Sequence, residues 1–220
     1  HNSGMNIIIH HHNSAEAASN LGKELNASRT DSAYLVQGDL LAPDSYAEIV
    51  QQAFGFKQRL DVLINNASTF FPTRLGEIDL EQWQSIIGVN LQAPLFLTQQ
   101  AAPHLAEHKG CVINMTDIHG LRPLRDHAVY SSAKAGLLML TQALAKDLAP
   151  AIRVNAISPG AILWSQDMPE DKQSEIINRT ALKKTGSLED ITNAVRFLIN
   201  DADYMTGQVL TIDGGRTLYS

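Results

Sequence analysis

The alternation of short apolar, β-branched runs with longer segments of helical period constrains this chain more than any other feature. The runs are Asn6–His11, Ala33–Gln37, Leu60–Asn65, Cys111–Met115, Ile152–Ile157 and Val209–Ile212, each of strand length and nearly continuous in apolar residues. Between them lie Ala15–Leu25, Ser45–Phe54, Leu80–His108, Val129–Leu148 and Leu188–Asn200, which carry apolar residues at three- and four-residue spacing over several turns. Strands that are apolar throughout need cover on both faces, and helices joining parallel strands by right-handed crossovers supply it. The prediction is an α/β fold with a doubly wound parallel sheet, Rossmann-like, in a single domain over residues 1–220. A chain of 220 residues is long enough to bury one substantial core.

Composition narrows the function classes. The formal net charge is −6, with 17 basic and 23 acidic residues and no Lys/Arg block, so a nucleic-acid partner is not expected. The longest apolar runs, such as Gly136–Leu140, fall far short of a membrane span. Cys111 is the one cysteine; it sits in an apolar run and reads as a core thiol in a reducing compartment. Met5–Ile9 is too short for an apolar targeting core and lacks a basic flank, so the expected location is cytoplasmic.

In a doubly wound sheet, ligands bind beyond the carboxyl ends of the strands, and the polar residues gather at those ends. Asp39 follows the second run, Asn65-Asn66-Ala67-Ser68 ends the third, Asp117 the fourth and Ser158-Pro159-Gly160 the fifth. Tyr130 and Lys134 open the fourth helical segment, and their i,i+4 spacing puts phenol and ammonium on one face. A nearby cation favours the phenolate, so Lys134 is expected to ease proton transfer from Tyr130. Taken alone the pair is equally a surface Tyr and Lys.

With Asn90, Asp117 and the Asn65-Asn66-Ala67 run in this order, the sequence resembles the short-chain dehydrogenase/reductase family over its whole length. The resemblance implies Tyr130 as proton donor, Lys134 as ligand of the nicotinamide ribose and partner of Tyr130, and Asn90 as part of a proton relay through water; a buried structural amide is the other reading of Asn90. It places Pro159, Gly160 and Ile162 against the nicotinamide carboxamide, Asp39 and Leu40 beside adenine, and Asn66 and Ala67 along the cofactor. Asp213-Gly214-Gly215 matches the family's C-terminal signature.

Two departures point inside the family. Asp117 stands where the usual catalytic Ser would be, and Ser68 where a Gly would follow Asn-Asn-Ala. Both resemble pteridine reductases, in which the Asp lies beside the catalytic Tyr, the Ser contacts cofactor phosphate, and the aromatic two positions on, here Phe70, stacks on the pterin. A flat heterocycle gains affinity by stacking, and a carboxyl group can pair with ring N–H and amino donors. Phe70 and Phe71 could instead be core aromatics under a loop, and Asp117 a helix cap. The first predicted strand ends in His11-His12-Asn13-Ser14 with no carboxylate; His12, Asn13 and Ser14 are donors at a helix start, which suits the 2′-phosphate of NADPH over NADH. Strand alternation splits His10–His12 across two faces and no further ligand completes a set, so no metal site is expected.

The Gly-rich phosphate turn is not in the sequence, so a first strand, that turn and most of a first helix, roughly 20 to 30 residues of a βαβ unit, are expected ahead of His1. The expected activity is NADPH-dependent reduction of a pterin, dihydrobiopterin, dihydromonapterin or dihydrofolate, with Ser68, Phe70, Asp117 and Tyr130 at the substrate and Leu163, Trp164 and Met168 as candidates to read its tail. The alternatives are a carbonyl or 3-oxoacyl-carrier-protein reductase of the same family, and a nucleotide-binding protein without turnover. The resemblance also implies a homo-oligomer, a tetramer, with Leu80–His108 and Val129–Leu148 at the interface.

Overall fold

The computed structural model describes residues 1–164 and 168–219. It contains six strands, β1 (Ile7–His11), β2 (Ala33–Gln37), β3 (Val62–Asn65), β4 (Cys111–Met115), β5 (Arg153–Pro159) and β6 (Val209–Ile212), all parallel to their neighbours. The helices between and after them are α1 (Ala15–Ser28), α2 (Ser45–Lys57), α3 (Leu80–Ile87), α4 (Ala93–Ala106), α5 (Ala128–Leu148), α6 (Glu170–Asn178) and α7 (Leu188–Asn200). The expected α/β architecture is present. The strands form two hydrogen-bonded pieces, β1–β2 and β3–β4–β5–β6. Among the described residues no strand pairs with the inner edge of β1 or of β3. Chain order runs outward in both directions from this break, so it marks the point where strand order reverses, the place where doubly wound folds put their ligands.

Packing joins the pieces. One cluster of buried side chains takes Val36 from β2, Tyr46, Ile49 and Val50 from α2, Leu97, Ala101 and Leu105 from α4, Val112 from β4 and Leu144 and Ala145 from α5. A second packs α7 through Ala194 and Leu198 against Ile113 and Ile157 on the opposite face of the larger piece. Val154 and Ala156 therefore face α5 while Ile157 faces α7, the period-two alternation of a strand buried on both sides.

Two helical expectations change. Leu80–His108 is not one helix: α3 passes into α4 through a π turn at Gly88–Gln92, which re-phases the helix by one residue just where Asn90 sits. The segment starts on a capping box in which Asp79 and Gln82 satisfy each other's backbone N–H groups, worth about 1 kcal/mol. Helix α6 was not foreseen; it buries none of its residues, so it has no apolar stripe to read. No helix of the described residues is long and apolar enough to cross a membrane.

Candidate active site

All the singled-out polar residues lie at the carboxyl edge of the strands, in two groups. The larger surrounds the first turns of α5. This helix turns Tyr130, Ala133, Lys134, Leu137 and Thr141 inward, the i, i+3, i+4 stripe of a core-facing helix, so Tyr130 and Lys134 are carried in on a face otherwise filled by apolar packing. They are 5% and 2% exposed. Asp117 ends the segment after β4 and caps a 3-10 turn, Ile118–Gly120, its Oδ1 accepting from the backbone N–H of His119 at 2.8 Å. Gly120 sets the spacing: a Cβ there would lie 2.9 Å from the carbonyl carbon of Lys134, so only glycine lets the Asp117 turn rest on the backbone of α5.

The result is a direct contact. The Tyr130 hydroxyl donates to Asp117 Oδ2 at 2.9 Å, and Lys134 Nζ donates to the backbone oxygen of Met115 at 2.9 Å while standing 5.6 Å from the centre of the Tyr130 ring. Burial and, after it, the Asp117 charge push the Tyr130 phenol well above its ordinary range, with Ser68 acting weakly the other way. The expectation that Lys134 makes the phenol more acidic is therefore corrected: in this surrounding Tyr130 is held protonated, because a desolvated phenolate beside a carboxylate is the costlier state. Burial lowers Lys134 to about 8, with Asp117 pulling the other way.

Asn90 is a clamp. Its amide donates to the oxygens of Thr69 at 2.8 Å and Ile86 at 3.0 Å, and its Oδ1 accepts from Ser68 Oγ at 2.6 Å. Both amide hydrogens are spent on holding the Ser68–Thr69 loop to the π turn, a structural use that does not bear on a relay water, which could donate to an oxygen of Asn90. Beneath it, Asn65, Asn114 and Thr141 form a buried hydrogen-bonded row across β3, β4 and α5.

The clamped loop delivers Phe70, 55% exposed, whose ring meets Tyr130 at right angles with centroids 4.8 Å apart. Phe71 packs on the cluster of Ile86, Val129, Tyr130 and Ala133, so of the two candidates it is Phe70 that is presented to solvent beside the phenol. Sequence reasoning missed His127, which stacks on Phe70 at 4.7 Å, and Thr73, which ties the Phe70 loop to the start of α5 by donating to the oxygen of Asp126. The spacing of His127, three residues before Tyr130, was the one signal available for it.

The smaller group lies at the ends of β1 and β2. His12, Asn13 and Ser14 are exposed, and Ser14 caps α1 without a side-chain hydrogen bond. Asp39 accepts from the backbone N–H of Leu41 and lies 3.9 Å from His12 Nε2. Leu40 is 7% exposed with its side chain in the core, so only its backbone is available to a ligand. Asn66 and Ala67 are exposed on the loop after β3. Pro159 ends β5, and Gly160 follows it so close to Asp213 that a Cβ would sit 2.8 Å from the Asp213 Cα; Ile162 packs on Gly186.

A dinucleotide suits this donor set. The leading N–H groups of α1 have no partner inside the helix, three neutral or ionisable donors surround them, and Lys134 has two N–H directions beyond Met115. Ser158, fully buried on β5 at the same strand edge, has a hydroxyl without a hydrogen-bond partner among the described residues, an unspent donor where a bound group would close the site.

The chain is similar to known proteins over nearly its whole length. The profile of a family described as enoyl-(acyl carrier protein) reductase matches residues 1–217. A 3-oxoacyl-[acyl-carrier-protein] reductase of Synechocystis is 33% identical over 98% of this chain and 88% of its own length. Pteridine reductase 1 of Leishmania tarentolae is 34% identical over 99% of this chain and 90% of its own. Among solved structures, an apo SCOR enzyme from Clostridium thermocellum superposes with a TM-score of 0.86 at 29% identity, covering 100% of this chain and 85% of the other.

Proposed function

The chain belongs to the short-chain dehydrogenase/reductase family, oxidoreductases that use NAD(P)H, and we propose that it reduces a pterin with NADPH. The observation that carries the choice is the carboxylate of Asp117 in hydrogen-bond contact with Tyr130. Reduction of a ketone builds negative charge on the carbonyl oxygen beside the phenol, and a carboxylate there repels it. Reduction of a pterin C=N bond places a proton on nitrogen, and the flanking N–H and amino donors of the ring are partners for a carboxylate.

NADPH, when bound, supplies two electrons as a hydride to the ring carbon. Tyr130 holds its proton until that transfer and then gives it to the adjacent nitrogen. Lys134, an ammonium below about pH 8, offsets the phenolate and carboxylate that then stand side by side, and the phenol is refilled from solvent through the partly exposed Asp117. Asp117 orients the ring, Phe70 offers it a stacking surface, and Ser68, on the same loop, contacts substrate and cofactor. His12, Asn13 and Ser14 would hold the 2′-phosphate, Asp39 and the Leu40 backbone the adenine end, and Asn66, Ala67, Pro159, Gly160 and Ile162 the remainder of the cofactor.

The second reading, a 3-oxoacyl-carrier-protein reductase, has the weight of the relatives: proteins of that name recur among them, as in Synechocystis and in Staphylococcus epidermidis, the latter 30% identical over 96% of this chain, and on similarity alone it is the better supported. The test sets the two against each other: NADPH oxidation, followed by absorbance, with dihydrobiopterin or dihydromonapterin against a 3-oxoacyl thioester. Turnover of the pterin at a kcat/KM at least tenfold higher is the expected result; turnover of the thioester alone would replace the first reading by the second.

The proposal extends to a cytoplasmic homo-oligomer. A groove between the π turn, α4 and α5 is lined by Ile87, Leu91, Leu95, Phe96, Met139 and Leu140, and Met139 is 64% exposed. Sedimentation at micromolar concentration reads the state directly, and a monomer would end this part of the proposal.

A further inference from the structure

The surface offered by Phe70 is held from behind. An aromatic side chain 55% exposed on a loop would sample several rotamers if nothing braced it. Here the imidazole of His127 lies nearly parallel on its ring, centroids 4.7 Å apart and planes inclined by 15°, and Tyr130 meets the same ring at 79°. The two contacts fix the plane of Phe70 from different directions and leave its exposed side to a ligand.

His127 is itself fixed. Its Nδ1 lies 2.8 Å from the backbone oxygen of Arg125, which can only accept, so Nδ1 is the donor and the ring cannot turn without losing that bond. Its main chain forms an isolated parallel bridge with Thr73, and Thr73, 1% exposed, accepts at Oγ1 from the backbone N–H of Val129 at 3.4 Å. Helix α5 has no side-chain cap of its own at His127. The loop bearing Phe70 thus supplies a partner to an otherwise free N–H of the helix bearing Tyr130, and the His127 ring closes the connection on the ligand side.

We propose that His127 is a positioning residue for substrate recognition: braced by Thr73 and Arg125, it holds Phe70 in one plane as a preformed platform for a planar heteroaromatic ring beside Tyr130. The platform rests on the pterin reading for its natural ligand, but it can be probed without turnover. Preorganisation lowers the cost of ordering the site on binding, so losing the brace weakens binding of flat ligands and leaves the chemical step to Tyr130.

The experiment is calorimetric titration of the NADPH-saturated protein with a 2,4-diaminopteridine, beside steady-state kinetics on dihydropterin. His127→Ala is expected to raise the dissociation constant about three- to tenfold, with the loss in kcat/KM falling mostly on KM. His127→Phe, which keeps the stack, restores binding to within about twofold. In a Phe70→Ala background, His127→Ala adds almost nothing, because the brace then has nothing to hold. Unchanged binding in His127→Ala, no rescue by His127→Phe, or full additivity with Phe70→Ala would each overturn the proposal. If the unmutated protein binds the diaminopteridine with this His127 dependence but turns over only 3-oxoacyl thioester, the pterin function falls and the platform stands. If it does not bind the compound, both fall.

Discussion

The two groups of site residues are built on opposite plans. At the ends of β3, β4 and β5, Tyr130, Lys134 and Asn90 are almost wholly buried, and Asp117, Ser68 and Asn90 are already engaged in hydrogen bonds with one another's elements. At the ends of β1 and β2, His12, Asn13 and Ser14 are exposed, and the N-cap side chain of α1 makes no bond. The difference fits the roles proposed for them. A proton donor is useful only at a fixed distance and in a fixed ionisation state, which burial and a rigid partner impose. A phosphate is met by helix N–H groups and flexible donors that need to be organised only when the charge arrives.

Substitutions should therefore act differently on the two sides. The largest effect is expected from Tyr130→Phe, which removes the proton and keeps the packing: kcat falls by about 10²- to 10⁴-fold while the NADPH dissociation constant, read by fluorescence titration, stays within a factor of two or so. A comparable loss in both would mean that Tyr130 is chiefly a cofactor ligand. Asp117→Ser is next, with kcat/KM for dihydropterin down roughly 10- to 100-fold and the ratio of thioester to pterin turnover raised; a uniform loss on both substrates would remove the reason for preferring the pterin.

The pH profile gives a third, smaller test. The Lys134 ammonium is lost as pH rises through about 8, so kcat/KM, which reports the free enzyme, should decline on the alkaline side of that value. Asp117 raises the Lys134 pKa; Asp117→Asn should move the limb to lower pH, and a limb that stays put would assign it to another group. The exposed side should respond least. Asn13→Arg is expected to tighten NADPH by roughly two- to fivefold, a gain that vanishes in high salt, with kcat little changed. If NADH gained equally, the 2′-phosphate would not be at Asn13.

The amino-acid sequence determined by itself what is periodic and local. The alternation of strand and helix, the inward face of α5 with Tyr130 and Lys134 on it, and the position of Asp117 at a strand end all follow from spacings of two to four residues, because side-chain direction repeats with the backbone. It also carried the family resemblance. The tertiary structure alone decided how those pieces act. The committed amide of Asn90 depends on a π turn and a distant loop, and the bracing of Phe70 by His127 on side chains far apart in the chain. The proton affinity of Tyr130 is of the same kind: the nearby lysine visible in the sequence suggested a more acidic phenol, but burial and the Asp117 charge are long-range quantities, and together they outweigh it.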